Sequence, residues 1–137
     1  MLAKTKVLAI SRDNVLLNFL RRELGGDEYE VVATQHSGVQ LKGVIDSERP
    51  GFIILDIVMP ALDGVGVCLQ LRQWTQTPVL MLTTWNTGNG MVRGLNLSNE
   101  SYLTEPFSAN ILKKRIKETL KRNELTDLMP NIQTHKN

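Results

Sequence analysis

Short, unbroken apolar runs alternate along this chain with longer stretches whose apolar residues recur every three or four positions. The runs Lys6-Val7-Leu8-Ala9-Ile10, Tyr29 to Ala33, Phe52-Ile53-Ile54-Leu55, Val79-Leu80-Met81-Leu82 and Tyr102-Leu103 have the length and β-branched content of strands. Between them, helical spacing groups Val15, Leu16, Phe19, Leu20 and Leu24, then Leu41, Val44 and Ile45, then Val67, Cys68, Leu71 and Trp74. A short fourth helix is predicted around Met91, Val92 and Leu95, and a long last one carries Ile111, Leu112, Ile116 and Leu120. The punctuation agrees with these elements. Gly25-Gly26 stops the first helix, Ser37 and Ser108 stand where the second and the last begin, Asp63-Gly64 turns into the third, and Pro78 and Pro106 flank the last two strands.

Near-continuous apolar strands alternating with helices imply a parallel sheet covered on both faces through right-handed crossovers, a doubly wound α/β domain. In such a sheet the crevice outside the carboxyl ends of the strands is where chemistry gathers. Asp56 directly follows the most apolar run of the chain, so it stands at the mouth of the core. Parallel order brings Ser11, Arg12, Asp13, Asp56, Thr83, Thr84 and Glu105 to that same edge.

Composition narrows the reading modestly. A chain of 137 residues with 16 basic and 14 acidic side chains is about one domain long and near neutral, so its charge demands neither nucleic acid nor an anionic membrane as partner. The single Cys68 cannot form an internal disulfide, and no apolar run approaches the roughly 20 residues that span a bilayer. A cytoplasmic protein is the expectation. His36 and His135 are too isolated for a metal site, Cys68 lies on a core-facing stripe, and Gly88 and Gly90 lack the spacing of a nucleotide loop. No nucleophile and base pair is visible, so the chain does not read as an enzyme or a flavin carrier.

The matching pieces Asp56 with Met59-Pro60 and Asp63-Gly64, then Pro78-Val79-Leu80-Met81-Leu82-Thr83, then Tyr102-Leu103-Thr104-Glu105-Pro106-Phe107 resemble the receiver domain of two-component response regulators, the CheY-like family. The likeness runs from Lys6 to about Arg122, which places a receiver at residues 1–123 and a polar tail or linker at 124–137. It implies a flavodoxin-like five-stranded sheet in the order 2-1-3-4-5 and an aspartate at Asp56 that accepts a phosphoryl group from a histidine kinase. It also implies a switch in which the Thr83 hydroxyl turns toward the phosphoryl group and the Tyr102 ring follows it inward.

Two positions depart from the family pattern. Receivers usually carry two adjacent acids after the first strand, which hold Mg²⁺ together with the phosphoacceptor and a backbone carbonyl, here that of Val58; this chain has Ser11 and Arg12. Mg²⁺ requires oxygen ligands in octahedral array, so its binding is expected to be weak or absent. Asp13 is read as the N-cap of the first helix rather than as a substitute ligand. Glu105 stands where the family has a lysine. At about 4 Å and an effective dielectric near 20, trading that attraction for repulsion swings each pairwise term by roughly 8 kcal/mol before relaxation. Two placements of Arg12 are open: a guanidinium bridging Asp56 and Glu105 in place of metal and lysine, or one that points into solvent.

The resulting expectation is an atypical receiver, or pseudo-receiver, acting through protein contacts with impaired phosphorylation at Asp56. The alternative is a conventional phospho-accepting receiver, the front of a DNA-binding transcriptional regulator. The basic last helix (Lys113, Lys114, Arg115, Lys117, Lys121, Arg122) reads as a solvated face, without direct nucleic-acid contact. In winged-helix regulators the last two helices and last strand form a two-fold dimer face. Arg93 and Arg115 match that pattern, whereas Ile111 and Ser101 replace acids, so a homodimer here is expected to be more apolar than usual.

Overall fold

A computed structural model describes residues 4–26, 28–57, 64–83 and 102–128. In chain order these form β1 (Thr5–Ile10), α1 (Asn14–Leu24), β2 (Tyr29–Thr34), α2 (Gly38–Glu48), β3 (Phe52–Asp56), α3 (Gly64–Trp74), β4 (Val79–Thr83), β5 (Tyr102–Thr104) and α4 (Ala109–Leu128). The five strands make one sheet in the order β2-β1-β3-β4-β5, parallel throughout, as the resemblance implied. The helix expected around Met91, the turn at Asp63 and the loop Thr87 to Gly90 lie outside the described residues.

Alternation along each strand explains why the central runs carry no polar residue. Val7 and Ala9 of β1, Phe52 and Ile54 of β3 and Leu80 and Leu82 of β4 face one layer, where Leu17, Leu20 and Leu24 of α1 and Leu112 and Ile116 of α4 cover them. Leu8 and Ile10, Ile53 and Leu55, and Met81 face the other, against Leu41 and Ile45 of α2 and Val67, Cys68 and Leu71 of α3. Each central strand is therefore buried on both sides. Burial on this scale supplies the main driving force for the fold and leaves the strand ends as the places where polar groups can gather.

Several local expectations need correction. Val15 was grouped with the core stripe of α1, yet it is 78% exposed, and Leu17 is buried in its place. Two positions along a helix rotate a side chain by about 200°, so the two cannot share a face, and a step of three from Leu17 followed by one of four reaches Leu20 and then Leu24. Ser37 occupies the N-cap of α2 without a side-chain capping bond, and that helix closes on Arg49 in the left-handed region at φ 49°. Ser108 does cap α4, its hydroxyl accepting from the Ile111 N–H at 3.2 Å. α4 runs from Ala109 to Leu128. Gly25 ends α1 because of a close approach: a Cβ there would lie 2.6 Å from the Arg21 carbonyl oxygen.

Candidate functional site at the carboxyl edge of the sheet

β1, β3, β4 and β5 deliver their last residues to one edge. Asp56 is the final residue of β3, paired in register with Leu82 of β4, and is only 2% exposed. Its Oδ2 accepts a hydrogen bond from the Ser11 hydroxyl at 2.6 Å. Ser11, just past the end of β1, is 1% exposed and is held there by its own N–H, which donates to the Thr34 carbonyl of the neighbouring strand. The Ser11 Oγ in turn accepts from the Asp13 N–H at 2.9 Å. A backbone donor thus polarises the hydroxyl, and the hydroxyl polarises toward the carboxylate.

Asp13 serves the helix, as read from the sequence. One carboxylate oxygen accepts from the N–H groups of Val15 at 2.9 Å and Leu16 at 3.4 Å, satisfying first-turn donors of α1. Arg12 is exposed and, among the described residues, makes no ion pair with Asp56 or Glu105. The bridging guanidinium is therefore overturned in favour of the solvent-facing alternative. Ser11 points inward at this bend, and its immediate neighbour is left on the outside.

Glu105 is brought alongside by the backbone, its N–H donating to the Thr83 carbonyl at 2.7 Å. Thr83, the last residue of β4, is fully buried. The Glu105–Pro106 peptide is cis, and Phe107 beyond it packs edge-on against Phe19 of α1, with ring centroids 6.4 Å apart. Partial burial first, then the negative charges of Asp56 and Asp13, push the Glu105 carboxyl above the usual carboxylate range. The field felt at Glu105 is thus that of other acids.

Behind this edge, Tyr102 is half-buried against the α2 and α3 layer, and its carbonyl accepts from Arg115 Nη1 at 2.6 Å. Arg115 of α4 is therefore bound to the edge strand of its own chain. Ile111, one turn earlier, is 50% exposed. Arg93, Ser101, Thr84 and the Val58 carbonyl lie outside the described residues. Sequence reasoning treated Ser11 only as a missing acid and passed over its hydroxyl as a donor. The signal available was a small hydroxyl residue directly after a buried strand, two positions before a capping aspartate.

Comparison with known proteins identifies this arrangement. The model of the response regulator receiver domain family matches residues 7–117, and the chain belongs to that family. It is 36% identical over 123 residues to the response regulator MprA of Mycobacterium ulcerans (strain Agy99), covering 89% of this chain and 53% of MprA. It is 35% identical over 121 residues to the alkaline phosphatase synthesis transcriptional regulatory protein PhoP of Bacillus subtilis (strain 168), covering 88% of this chain and 50% of PhoP. The chain spans about half the length of the curated relatives it matches. Among solved structures, a response regulator described as putative from Chloroflexus aurantiacus J-10-fl superposes with a TM-score of 0.73 at 28% identity, covering 87% of this chain and 99% of that one. The carboxyl edge is thus that of a receiver domain, a signalling module of two-component pathways, with Asp56 at the strand end. Among the described residues no helix is long and apolar enough to cross a membrane.

Proposed function

We propose that this receiver is an atypical one, in which Mg²⁺-dependent phosphorylation at Asp56 is impaired and signalling runs through protein contacts in the cytoplasm. The observation that carries this reading is the donor set around Asp56. The hydroxyl of Ser11 is neutral and already engaged on both sides, the Asp13 carboxylate is used by the N-terminus of α1, and Arg12 brings a positive charge but no oxygen ligand. Mg²⁺ demands near-octahedral oxygen coordination and dehydrates reluctantly, so these residues do not fit it. Glu105 adds a like charge where a phosphoryl group would need cationic partners, and phosphoryl transfer depends chiefly on such charge stabilisation. Partners on this reading are other proteins, a histidine kinase among them, or a second copy meeting the half-exposed Ile111 face of α4.

The test is a titration of the purified chain with beryllofluoride and Mg²⁺, followed by tryptophan fluorescence, beside a Phos-tag gel after acetyl phosphate treatment. The expected result is no saturable Mg²⁺-dependent change and no shifted band. Saturable, magnesium-dependent binding would overturn the reading and favour a second one.

That second reading is a conventional phosphoacceptor at the front of a DNA-binding regulator. It draws support from the intact set Asp56, Thr83 and Tyr102 and from relatives that are transcriptional regulators about twice as long as this chain.

A further inference from the structure

We infer that a cavity between the C-terminal ends of α2 and α3, at the opposite end of the sheet from Asp56, is a binding site for a short aliphatic diammonium ion. The inference goes beyond the receiver reading and does not depend on whether Asp56 accepts a phosphoryl group.

The cavity measures about 430 Å³, within the range of small-molecule sites, and is lined by Asp46, Arg49 and Pro50 on the α2 side and by Trp74, Thr75 and Thr77 on the α3 side. The two hydroxyls of the α3 wall have no proton to offer an occupant. Thr77 Oγ1 lies 3.4 Å from the Pro50 carbonyl oxygen, which can only accept, and 2.7 Å from Thr75 Oγ1. Each hydroxyl carries a single proton, so both contacts are made when Thr75 donates to Thr77 and Thr77 donates to Pro50. Thr75 Oγ1 accepts in addition from the Thr77 N–H at 3.1 Å. Each threonine is left with a lone pair and no donor.

On the α2 wall, Asp46 supplies a carboxylate. Lys42, one turn back, occupies its Oδ2 at 3.1 Å, and no contact among the described residues uses the other oxygen. Both helices end at this cavity, and the last carbonyls of a helix are unpaired and carry partial negative charge. α2 has no basic residue in its last turn to offset that charge. Trp74, partly buried against the α2 and α3 layer, adds an aromatic wall of the kind most favourable to a neighbouring cation. Against these stand the indole N–H and one lining cation, Arg49, which is exposed and makes no ion pair among the described residues. Acceptors on both walls with an apolar ring between them call for an occupant with a cationic donor at each end and methylenes in the middle. One ammonium meets Asp46, and the other meets the Thr75 and Thr77 oxygens.

The experiment titrates putrescine into the ¹⁵N-labelled whole chain, with ionic strength held constant by sodium chloride, and follows the Thr75 and Thr77 amides and the Trp74 indole by NMR. Saturable shifts at these groups are expected, with butylamine, which carries one charge, at least about threefold weaker. Asp46→Asn is expected to weaken putrescine by about threefold or more, and Arg49→Asn, which removes the rim charge and suits the left-handed backbone there, to tighten it by about twofold or more. Both positions are exposed, so these variants change charge and leave the core intact. Absence of saturation, equal affinity for butylamine, indifference to Asp46→Asn or weaker binding by Arg49→Asn would each overturn the inference. So would saturable binding of citrate that Arg49→Asn abolishes, because that outcome marks a site for anions.

Discussion

The two ends of the sheet solve the placement of charge in opposite ways. At the amino end, Lys6 of β1 meets Glu48 at the end of α2, with Nζ and Oε1 3.0 Å apart. That contact raises the Lys6 ammonium above its ordinary value, the hydrogen bond it donates to Glu48 outweighing partial desolvation. At the carboxyl end, Glu105 sits near Asp56 and Asp13, its carboxyl raised by burial and by like charge, and the neutral hydroxyl of Ser11 donates to Asp56. Opposite charges matched across one end and like charges collected at the other, in the same fold, separate a scaffold from a site. Acids crowd at an edge at some cost in stability, and such crowding marks the edge where function is carried.

Reversing the sign at position 105 is the strongest way to break the contrast. Glu105→Lys is expected to raise beryllofluoride affinity by tenfold or more over wild type in a fluorescence titration, because it restores a cation where phosphoryl charge develops. Removing the hydroxyl comes next. Ser11→Ala deletes a buried hydrogen bond to a carboxylate and is expected to lower stability by ~1.5–3 kcal/mol in urea melts.

Glu105→Gln sharpens the contrast through pH. A carboxyl whose pKa is raised in the fold favours folding when protonated. That contribution is fully present below the ordinary glutamate range and is lost as pH rises through the raised value. At neutral pH the ionised Glu105 therefore opposes folding, and Glu105→Gln is expected to melt higher than wild type. The gain is under about 1 kcal/mol, since Glu105 is partly solvated and screened. The advantage closes as the pH falls below the ordinary glutamate range, as a series of thermal melts would show. The smallest effect belongs to the amino end: Lys6→Met is expected to shift the melting temperature least of the four, with the difference fading in high salt because that pair is open to solvent.

The strands and their parallel arrangement were legible because they depend on local pattern, whereas the order 2-1-3-4-5 came with the family resemblance. Residues such as Ile53 and Ile54 are apolar in succession only where both faces of a strand are covered, and an aspartate after such a run has one place to go. The N-caps Asp13 and Ser108 were legible for the same reason, since a cap bonds to its own next residues. Val15 was misjudged because a helical stripe can be drawn through it on paper, and only the packing of α1 on the sheet shows which side is covered.

From sequence alone came a receiver-type α/β sheet with Asp56 at a strand mouth and Glu105 in a position that repels it, because strand burial and charge sign are properties of residue type and order. Tertiary structure alone decided that Ser11 bonds Asp56 across 45 positions of chain, that Arg12 turns outward beside it, and that Arg115 reaches the Tyr102 carbonyl. Each of those outcomes hangs on the direction a side chain takes at a bend or across a helix face. That direction is set by what the rest of the fold leaves room for, and no local pattern encodes it.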